Sequence, residues 1–199
     1  MTVGLRISRK QPWWRTASLL LLSLPLLAAA NGTDYRIDPD TSEAVFRVRL
    51  FWVDNVNGHF THVDGDVSPG PNPGSLVVDA SVPVESVAMP TRRMRQWVLA
   101  PAFFDAGHHP IIHFVSNPVT QSDLQRGGTL TGYLTLRGVT APIQFTVDPA
   151  QCQPLTIPSC KIVLRGILHR STFGMTSDRL AISDNVDLNL SITLQRETR

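Results

Sequence analysis

The sequence predicts an all-β antiparallel fold, a closed barrel or a sandwich of about eight strands with one short helix. Three observations predict it. Apolar and polar side chains alternate over residues 129–136 and again over 143–147, on either side of a tight connection at 137–140. Residues 186–195 alternate most regularly of all. A period of two is typical of strands that bury one face, and several of these strands are long enough for a barrel that holds an elongated ligand.

The first thirty residues predict a secretory signal peptide. Four basic residues precede an apolar run at residues 17–27, and three alanines at 28–30 form a small-residue cleavage site. We therefore divide the chain into a signal peptide, residues 1–30, and one domain, residues 31–199, and expect a periplasmic or secreted protein. An uncleaved membrane anchor is the alternative. No later apolar run approaches the ~20 residues of a transmembrane helix, so none is expected after cleavage.

Cleavage changes the charge of the protein. The signal peptide holds four of the 18 Lys and Arg residues and none of the 16 Asp and Glu residues, which leaves 14 basic and 16 acidic side chains and a net charge of −2. The remaining sequence has one lysine, Lys161, and no basic stripe. A nucleic-acid partner is therefore not expected.

The first part of the domain predicts two paired strands. Residues 44–53 carry Phe46, Val48 and other apolar side chains at even positions, which gives this strand one apolar face. Residues 55–62 form a return strand, in which Asn57-Gly58 is interpreted as a turn or bulge.

The middle of the domain predicts a loop, a strand, a helix and another strand. Residues 69–74 are proline or glycine except for Asn72, which indicates a loop, and residues 76–83 return to a period of two. Residues 91–104 lose that period and place Met94, Trp97 and Val98 on one helical face, so we expect a short helix that ends before Pro101. A turn at 106–110 leads to a strand at 111–115.

The last part predicts a local disulfide and three further strand segments. Cys152 and Cys160 flank an irregular stretch and would pair in an oxidising compartment. Residues 161–168 and 170–173 are interpreted as strand separated by a kink, and residues 186–195 close the domain.

Five blocks, in order, resemble the YceI-like family of exported lipid-binding proteins and span nearly the whole domain. They are YRIDPDTSEAVFRV at residues 35–48, VNGHFTHVDGDV at 56–67, APAFFDAGHHPIIHF at 100–114, GYLTLRGVTAPIQF at 132–145 and HRSTFGM at 169–175. The resemblance implies an eight-stranded lipocalin-like antiparallel barrel. It also implies an elongated apolar pocket for a polyprenyl chain, an isoprenoid quinone or a fatty-acid derivative.

The chain departs from the family in one segment. Before the FFD block the family usually has an Arg-Asp pair followed by a hydrophobic residue, whereas residues 92–97 read RRMRQW, without an acidic residue. If this segment caps the pocket mouth, its head-group preference differs from that of its relatives.

Lipid-binding candidates are the large apolar side chains that alternation or the helical face directs inward. Each one can also be ordinary core, since small barrels fill their interior with side chains. They are Phe46, Val48, Phe60, Met94, Trp97, Phe103, Phe104, Phe114, Leu134, Phe145, Phe173, Met175 and Ile192. Leu130 and Leu136 are expected to wall the interior as well.

Two arginines are candidates for contact with a lipid head group. Arg137 lies in the hairpin connection and Arg170 in the HRSTFGM block; each could instead form an ion pair, for example with Asp105. We expect a carrier for a long-chain amphiphile, with a polyisoprenoid or quinone as its ligand. No other cofactor is expected, and a homodimer is left open.

Two alternative functions remain. The first is a metal-assisted lipid-modifying enzyme that uses His108, His109 and His113, which cluster around a turn. We do not favour it, because the sequence has neither a nucleophile elbow nor a CxxC pair. We therefore predict no catalytic residue and no metal site. The second is an envelope module whose partner is a protein.

Overall fold

The computed structural model describes Met1 and residues 35–51, 54–150 and 159–196. The chain divides into two units, Met1–Asn31 and Gly32–Arg199, and the fold below is that of the second. The predicted signal peptide lies outside the described residues, apart from Met1. Within the described residues, no helix is both long enough and apolar enough to span a bilayer.

Strands account for most of the described residues, as the alternation predicts. They are β1 Tyr35–Ile37, β2 Glu43–Leu50, β3 Asp54–Phe60, β4 Asp64–Pro69, β5 Ser75–Pro83, β6 Val87–Ala88, β7 Ile111–Ser116, β8 Val119–Thr120, β9 Gly128–Leu136, β10 Val139–Val147, β11 Ser159–His169 and β12 Ile182–Arg196. Two helices, α1 Arg92–Leu99 and α2 Gln121–Arg126, and two 3-10 turns, Val84–Ser86 and Arg170–Phe173, interrupt them.

Eight antiparallel strand positions, which we call staves, close into a barrel, and three of them are interrupted so that each contains two of the strands named above. β1 with β2, β3 with β4 and β5 with β6 form the first three staves, and β7, β9, β10, β11 and β12 form the other five. β12 then pairs with the first stave, through Tyr35 opposite Arg196 and Val48 opposite Val186. The predicted eight-stranded antiparallel barrel is confirmed, and the sandwich alternative is wrong.

The turn or bulge predicted at Asn57-Gly58 is wrong. β2 and β3 keep one register from Ala44 opposite Phe60 to Leu50 opposite Asp54, and Gly58 lies inside β3. The break in this stave falls at residues 61–63 instead. Gly58 serves close packing, because a Cβ there would lie 2.3 Å from Cζ of Phe46.

A second helix, α2, was not predicted, although the sequence carries its capping signals. The Thr120 hydroxyl accepts a hydrogen bond from the backbone N–H of Asp123 at 3.2 Å, and Gly127 ends the helix with φ +82°. Residues 170–173 are also not strand. They form a 3-10 turn that ends at Gly174 in the left-handed region, with φ +74°.

The two ends of the barrel differ. Because consecutive staves run antiparallel, the connections after β2, β6, β9 and β11 share one end, and those after β4, β7 and β10 share the other. At the second end Ile37, Val67 and Leu124 are 1–3% exposed, and α2 supplies Leu124. At the first end Val48 and Val186 stay half-buried although they face inward. We call the second end the closed end and the first end the open end.

Candidate functional site

An apolar cavity runs through the barrel. Its volume is about 240 Å³, larger than the ~150 Å³ engineered apolar cavity that binds benzene. Among the described residues that line it, all are apolar except Arg170. A cavity of this composition suits a hydrocarbon and offers little to a polar solute.

The cavity is elongated along the staves. Its wall includes every second residue of β12 from Val186 to Leu194, that is Val186, Leu188, Leu190, Ile192 and Leu194. Eight residue steps along an extended strand span about 26 Å. The site therefore fits a chain better than a compact molecule.

Inward-facing side chains on β12 are not fully covered. Leu188, Leu190 and Ile192 face inward but are only half-buried, whereas the alternate residues Asp187 and Asn189 face outward and are exposed. In a filled barrel such leucines would be buried by the opposite staves. Their partial exposure indicates unfilled space before them.

Aromatic rings line one side of this space. The rings of Phe46, Phe60 and Phe104 form a triangle with centroids 5.6–6.0 Å apart, at tilted or edge-on angles. Phe114 and Phe145 meet edge-on at 5.6 Å. Aromatic pairs in this geometry are stabilising, so they form a firm wall.

Helix α1 lies at the open end and contributes its apolar face to the cavity. The Thr91 hydroxyl accepts a hydrogen bond from the backbone N–H of Met94 at 3.1 Å and begins the helix. Met94, Trp97 and Val98 all line the cavity, as their helical spacing predicts. Arg95 holds the helix in place, since its Nη2 meets the Glu85 carboxylate at 2.8 Å and its Nε donates to the Val87 carbonyl oxygen at 2.9 Å.

Twelve of the thirteen lipid-binding candidates line the cavity, and the exception is Phe173. This residue is 3% exposed and packs in the core as the last residue of the second 3-10 turn. Whether the twelve contact a lipid stays a prediction. The twelve are Phe46, Val48, Phe60, Met94, Trp97, Phe103, Phe104, Phe114, Leu134, Phe145, Met175 and Ile192.

Several wall residues were not among the candidates. Leu188 and Leu190 share the inward face of β12 with Ile192, and Ala44 and Ala80 line the cavity from β2 and β5. The period of two could have identified the leucines, because Ile192 was chosen on the same pattern. Ala44 and Ala80 were not chosen because their side chains are small, although a small side chain in the wall widens the cavity next to it.

Arg170 is fastened to the backbone. Its Nε donates to the Ser183 carbonyl oxygen at 3.0 Å, its Nη1 to those of Met175 and Ser177 at 2.8 Å, and its Nη2 to that of Ile182 at 3.0 Å. The side chain is 3% exposed, and this burial lowers the pKa of the guanidinium from its ordinary value. With four donors engaged, Arg170 organises the loop between β11 and β12.

Arg137 is placed differently. It lies in the tight turn between β9 and β10 at the open end, with φ +53°. Its Nη2 donates to the Pro101 carbonyl oxygen at 3.0 Å, whereas Nε and Nη1 are buried without an acceptor among the described residues. Buried donors without partners are costly, so this guanidinium can still gain from an added acceptor.

The three candidate histidines lie beside two separate carboxylates, and His109 Nε2 is 4.0 Å from Asp105 Oδ2. His113 Nε2 meets Asp79 Oδ1 at 2.6 Å on the outer face, between β7 and β5. His108 Nδ1 meets Asp105 Oδ1 at 2.9 Å, and this hydrogen bond lowers the pKa of Asp105. In the described part of the chain, no three His, Cys, Asp or Glu side chains are grouped so that they could hold a metal ion.

Cys160 is 3% exposed and is disulfide-bonded. The predicted partner, Cys152, lies outside the described residues, so the pairing stays a prediction.

Comparison with known proteins identifies one family. The model of the YceI-like domain matches residues 35–194, which cover nearly all of the barrel. Comparison with curated protein sequences gives no significant match.

Solved structures share the fold at low sequence identity. The crystal structure of BcnA from Burkholderia cenocepacia superposes with a TM-score of 0.68 at 17% identity, over 79% of this chain and 98% of that one. A polyisoprenoid binding domain from Saccharophagus degradans superposes with a TM-score of 0.62 at 14% identity, over 82% and 98%. A YceI protein from Campylobacter jejuni superposes with 0.61 at 21% identity, over 74% and 88%.

Proposed function

The chain belongs to the YceI-like domain family, and from this premise we propose that it binds a long-chain lipid inside the barrel. The observation that carries the proposal is the row of inward-facing but half-buried leucines on β12, Leu188 and Leu190, beside the cavity. A hydrocarbon chain that covers them removes their apolar surface from water, at about 25 cal/mol per Å². No catalytic step is needed for this function, and we propose a binding protein and not an enzyme.

The ligand that we propose is an amphiphile with an isoprenoid chain, such as a polyprenol derivative or an isoprenoid quinone. A length of about 26 Å along β12 suits an extended chain, and one structural relative is described as a polyisoprenoid binding domain. The methyl branches of such a chain suit a wall that mixes aromatic rings with small residues such as Ala44 and Ala80.

A polar head group would lie at the open end. Arg137 is the group that we propose for it, because its Nε and Nη1 have no acceptor among the described residues. Arg170 is not proposed, since its donors already serve carbonyl oxygens of the loop. The metal-assisted alternative is not pursued, because the histidines face two separate carboxylates.

We further propose that the protein works outside the cytoplasm, in the periplasm or as a secreted protein. The basic and apolar pattern of residues 1–30 supports this. A carrier there would shield an insoluble chain while it crosses an aqueous compartment.

The test is chemical analysis of what the protein holds. Protein produced in an isoprenoid-containing host is purified without detergent and extracted with organic solvent, and the extract is analysed by mass spectrometry. We expect a prenyl lipid in near-stoichiometric amount, released only on denaturation. Extracts without lipid, together with no saturable binding of added polyprenol or quinone, would refute the proposal.

A further inference from the structure

Exposed large apolar side chains are concentrated at the open end of the barrel. Apart from Met1 and Tyr133, every one in the described residues lies on that side, in a loop, in helix α1 or near the end of a strand. They are Phe51 at 68% exposure, Trp97 at 42%, Ile111 at 47%, Val139 at 40%, Ile167 at 55% and Leu180 at 92%. Six of the seven such side chains in the described part of residues 35–196 lie at one end, and a cluster of this kind indicates an interaction surface.

Two of these side chains project from neighbouring loop tips. The backbone N–H of Phe51 donates to the carbonyl oxygen of Ala181 at 2.6 Å, which ties the tip after β2 to the tip before β12. Phe51 has φ +46°, a left-handed conformation that a bulky residue rarely adopts. Phe51 and Leu180 are therefore carried by two loop tips that are hydrogen-bonded to each other, and we call these two residues the apolar tip. Trp97 of α1 lies at the same end of the barrel.

Arginines outnumber carboxylates at the open end. The described residues of this end include eight arginines and six carboxylates, and five of the arginines are exposed and form no ion pair there. These five are Arg47, Arg49, Arg92, Arg93 and Arg179.

The closed end has the opposite balance. There, within the described residues, four carboxylates without an ion pair face two such cations. The carboxylates are Asp38, Asp40, Glu43 and Asp66, and the cations are Lys161 and Arg196. The barrel is therefore electrically polar along its axis, although residues 31–199 are net acidic.

We propose that the open end docks on an anionic lipid bilayer, with Phe51 and Leu180 inserted among the acyl chains and the arginines on the phosphates. Apolar tips flanked by guanidinium groups are what an interfacial membrane contact requires. The acidic closed end is repelled by the same surface, so the cavity mouth faces the bilayer. A lipid chain could then pass between bilayer and barrel without crossing water.

The docking surface goes beyond the proposed function and is tested separately from it. Binding of empty protein to vesicles needs no cargo, whereas lipid extraction needs no vesicles. Failure of one experiment therefore leaves the other result intact.

The experiment measures partition of Gly32–Arg199 onto sedimented vesicles. This unit is used because every pairing that closes the barrel lies within it, and circular dichroism checks its folding before and after substitution. Vesicles of phosphatidylcholine with about one-third phosphatidylglycerol are compared with phosphatidylcholine alone. We expect preferential binding to the anionic vesicles, decreasing with added salt.

Two pairs of variants locate the surface. The double variant Phe51→Ser with Leu180→Ser should bind anionic vesicles about tenfold more weakly, or worse, whereas Tyr133→Ser, on the side of the barrel, should bind like the parent. Arg49→Glu with Arg179→Glu should lose about tenfold on anionic vesicles only, and Lys161→Glu, at the closed end, should not weaken binding comparably.

Three results would overturn the proposal. They are equal binding to both vesicle types, open-end variants that bind like their controls, and open-end variants that change the oligomeric state without changing vesicle binding. The last result would assign the tip to a second copy of the chain.

Discussion

Gly58 of β3 lies opposite Phe46 of β2, and a Cβ at Gly58 would come within 2.3 Å of Cζ of the Phe46 ring. The missing side chain lets this ring lie across the neighbouring strand and meet Phe60 and Phe104. Met89 occupies the same space, since its Sδ would be 2.5 Å from that Cβ. The width of the cavity at this level therefore depends on a glycine.

Replacing Gly58 with alanine should destabilise the barrel. The added methyl group must displace the Phe46 ring, and overpacking of this kind costs about 1–3 kcal/mol. Urea unfolding measures the change. Gly107→Ala is the matched control, because nothing lies within 4 Å of a Cβ there. Equal free energies of unfolding for the two variants would contradict this account of Gly58.

Removing the guanidinium of Arg170 should destabilise the protein strongly. In Arg170→Met four backbone carbonyl oxygens lose their donor, and at about 1 kcal/mol each the loss is about 4 kcal/mol. Arg93→Met, at an exposed arginine that forms no ion pair with any described residue, should stay within about 0.5 kcal/mol of the parent. Thermal and urea unfolding provide the comparison, and a stable Arg170→Met protein would show that the loop needs no such anchor.

Stability should fall in acid partly through Asp184. Burial raises the pKa of this carboxyl, but hydrogen bonds from the Ser171 hydroxyl and backbone N–H outweigh it and hold the pKa below its ordinary 3.8. A lowered folded-state pKa stabilises the protein above the unfolded value and loses that effect as the pH falls through the folded value.

Asp184→Asn should therefore be less stable than the parent at neutral pH, and the two should converge below the ordinary value of 3.8. Unfolding measured across this range tests it. Asp187→Asn, at an exposed carboxyl with no hydrogen-bond or ion-pair partner in the part of the chain that the structure describes, is the control and should show no such convergence. A difference that persists unchanged in acid would rule out the ionised carboxylate as the stabilising form.

Arg137→Gln should change which head group is preferred. If the unpartnered Nε and Nη1 donors receive a ligand oxygen, the variant should bind a prenyl phosphate about tenfold more weakly and the matching prenol nearly as before. Competition against a fluorescent long-chain probe measures both affinities. Equal losses for the two ligands would indicate that Arg137 shapes the turn and does not read the head group.

The period of two predicted most of the barrel. It located the strands and the inward faces that carry Phe46, Leu134 and Ile192, because side chains on a strand must alternate between core and solvent. The helical spacing of Met94, Trp97 and Val98 predicted α1 for the same kind of reason. These features depend on local geometry, which the order of residues determines.

The features that were missed depend on contacts between distant residues. Asn57-Gly58 was interpreted as a turn or bulge because no neighbouring residue in the sequence indicates that the Phe46 ring packs against Gly58 from the adjacent strand. Arg170 remained a head-group candidate because its hydrogen bonds could not be foreseen. The carbonyl oxygens that accept them lie five or more residues later, in a loop whose path the sequence does not reveal. The unfilled interior likewise follows from how the staves close, since the same leucines could line a solid core.

The most direct test of the central claim is to fill the cavity from its own wall. In Leu190→Trp the indole enters the space in front of a half-buried, inward-facing residue, whereas in Asn189→Trp it points outward from the adjacent, exposed position. Affinity for a long-chain prenol is measured by titration for both variants and the parent, with unfolding to check the fold. We predict that Leu190→Trp stays folded and loses affinity by about a hundredfold, while Asn189→Trp binds like the parent. Unchanged affinity in a folded Leu190→Trp protein would contradict a lipid site inside the barrel.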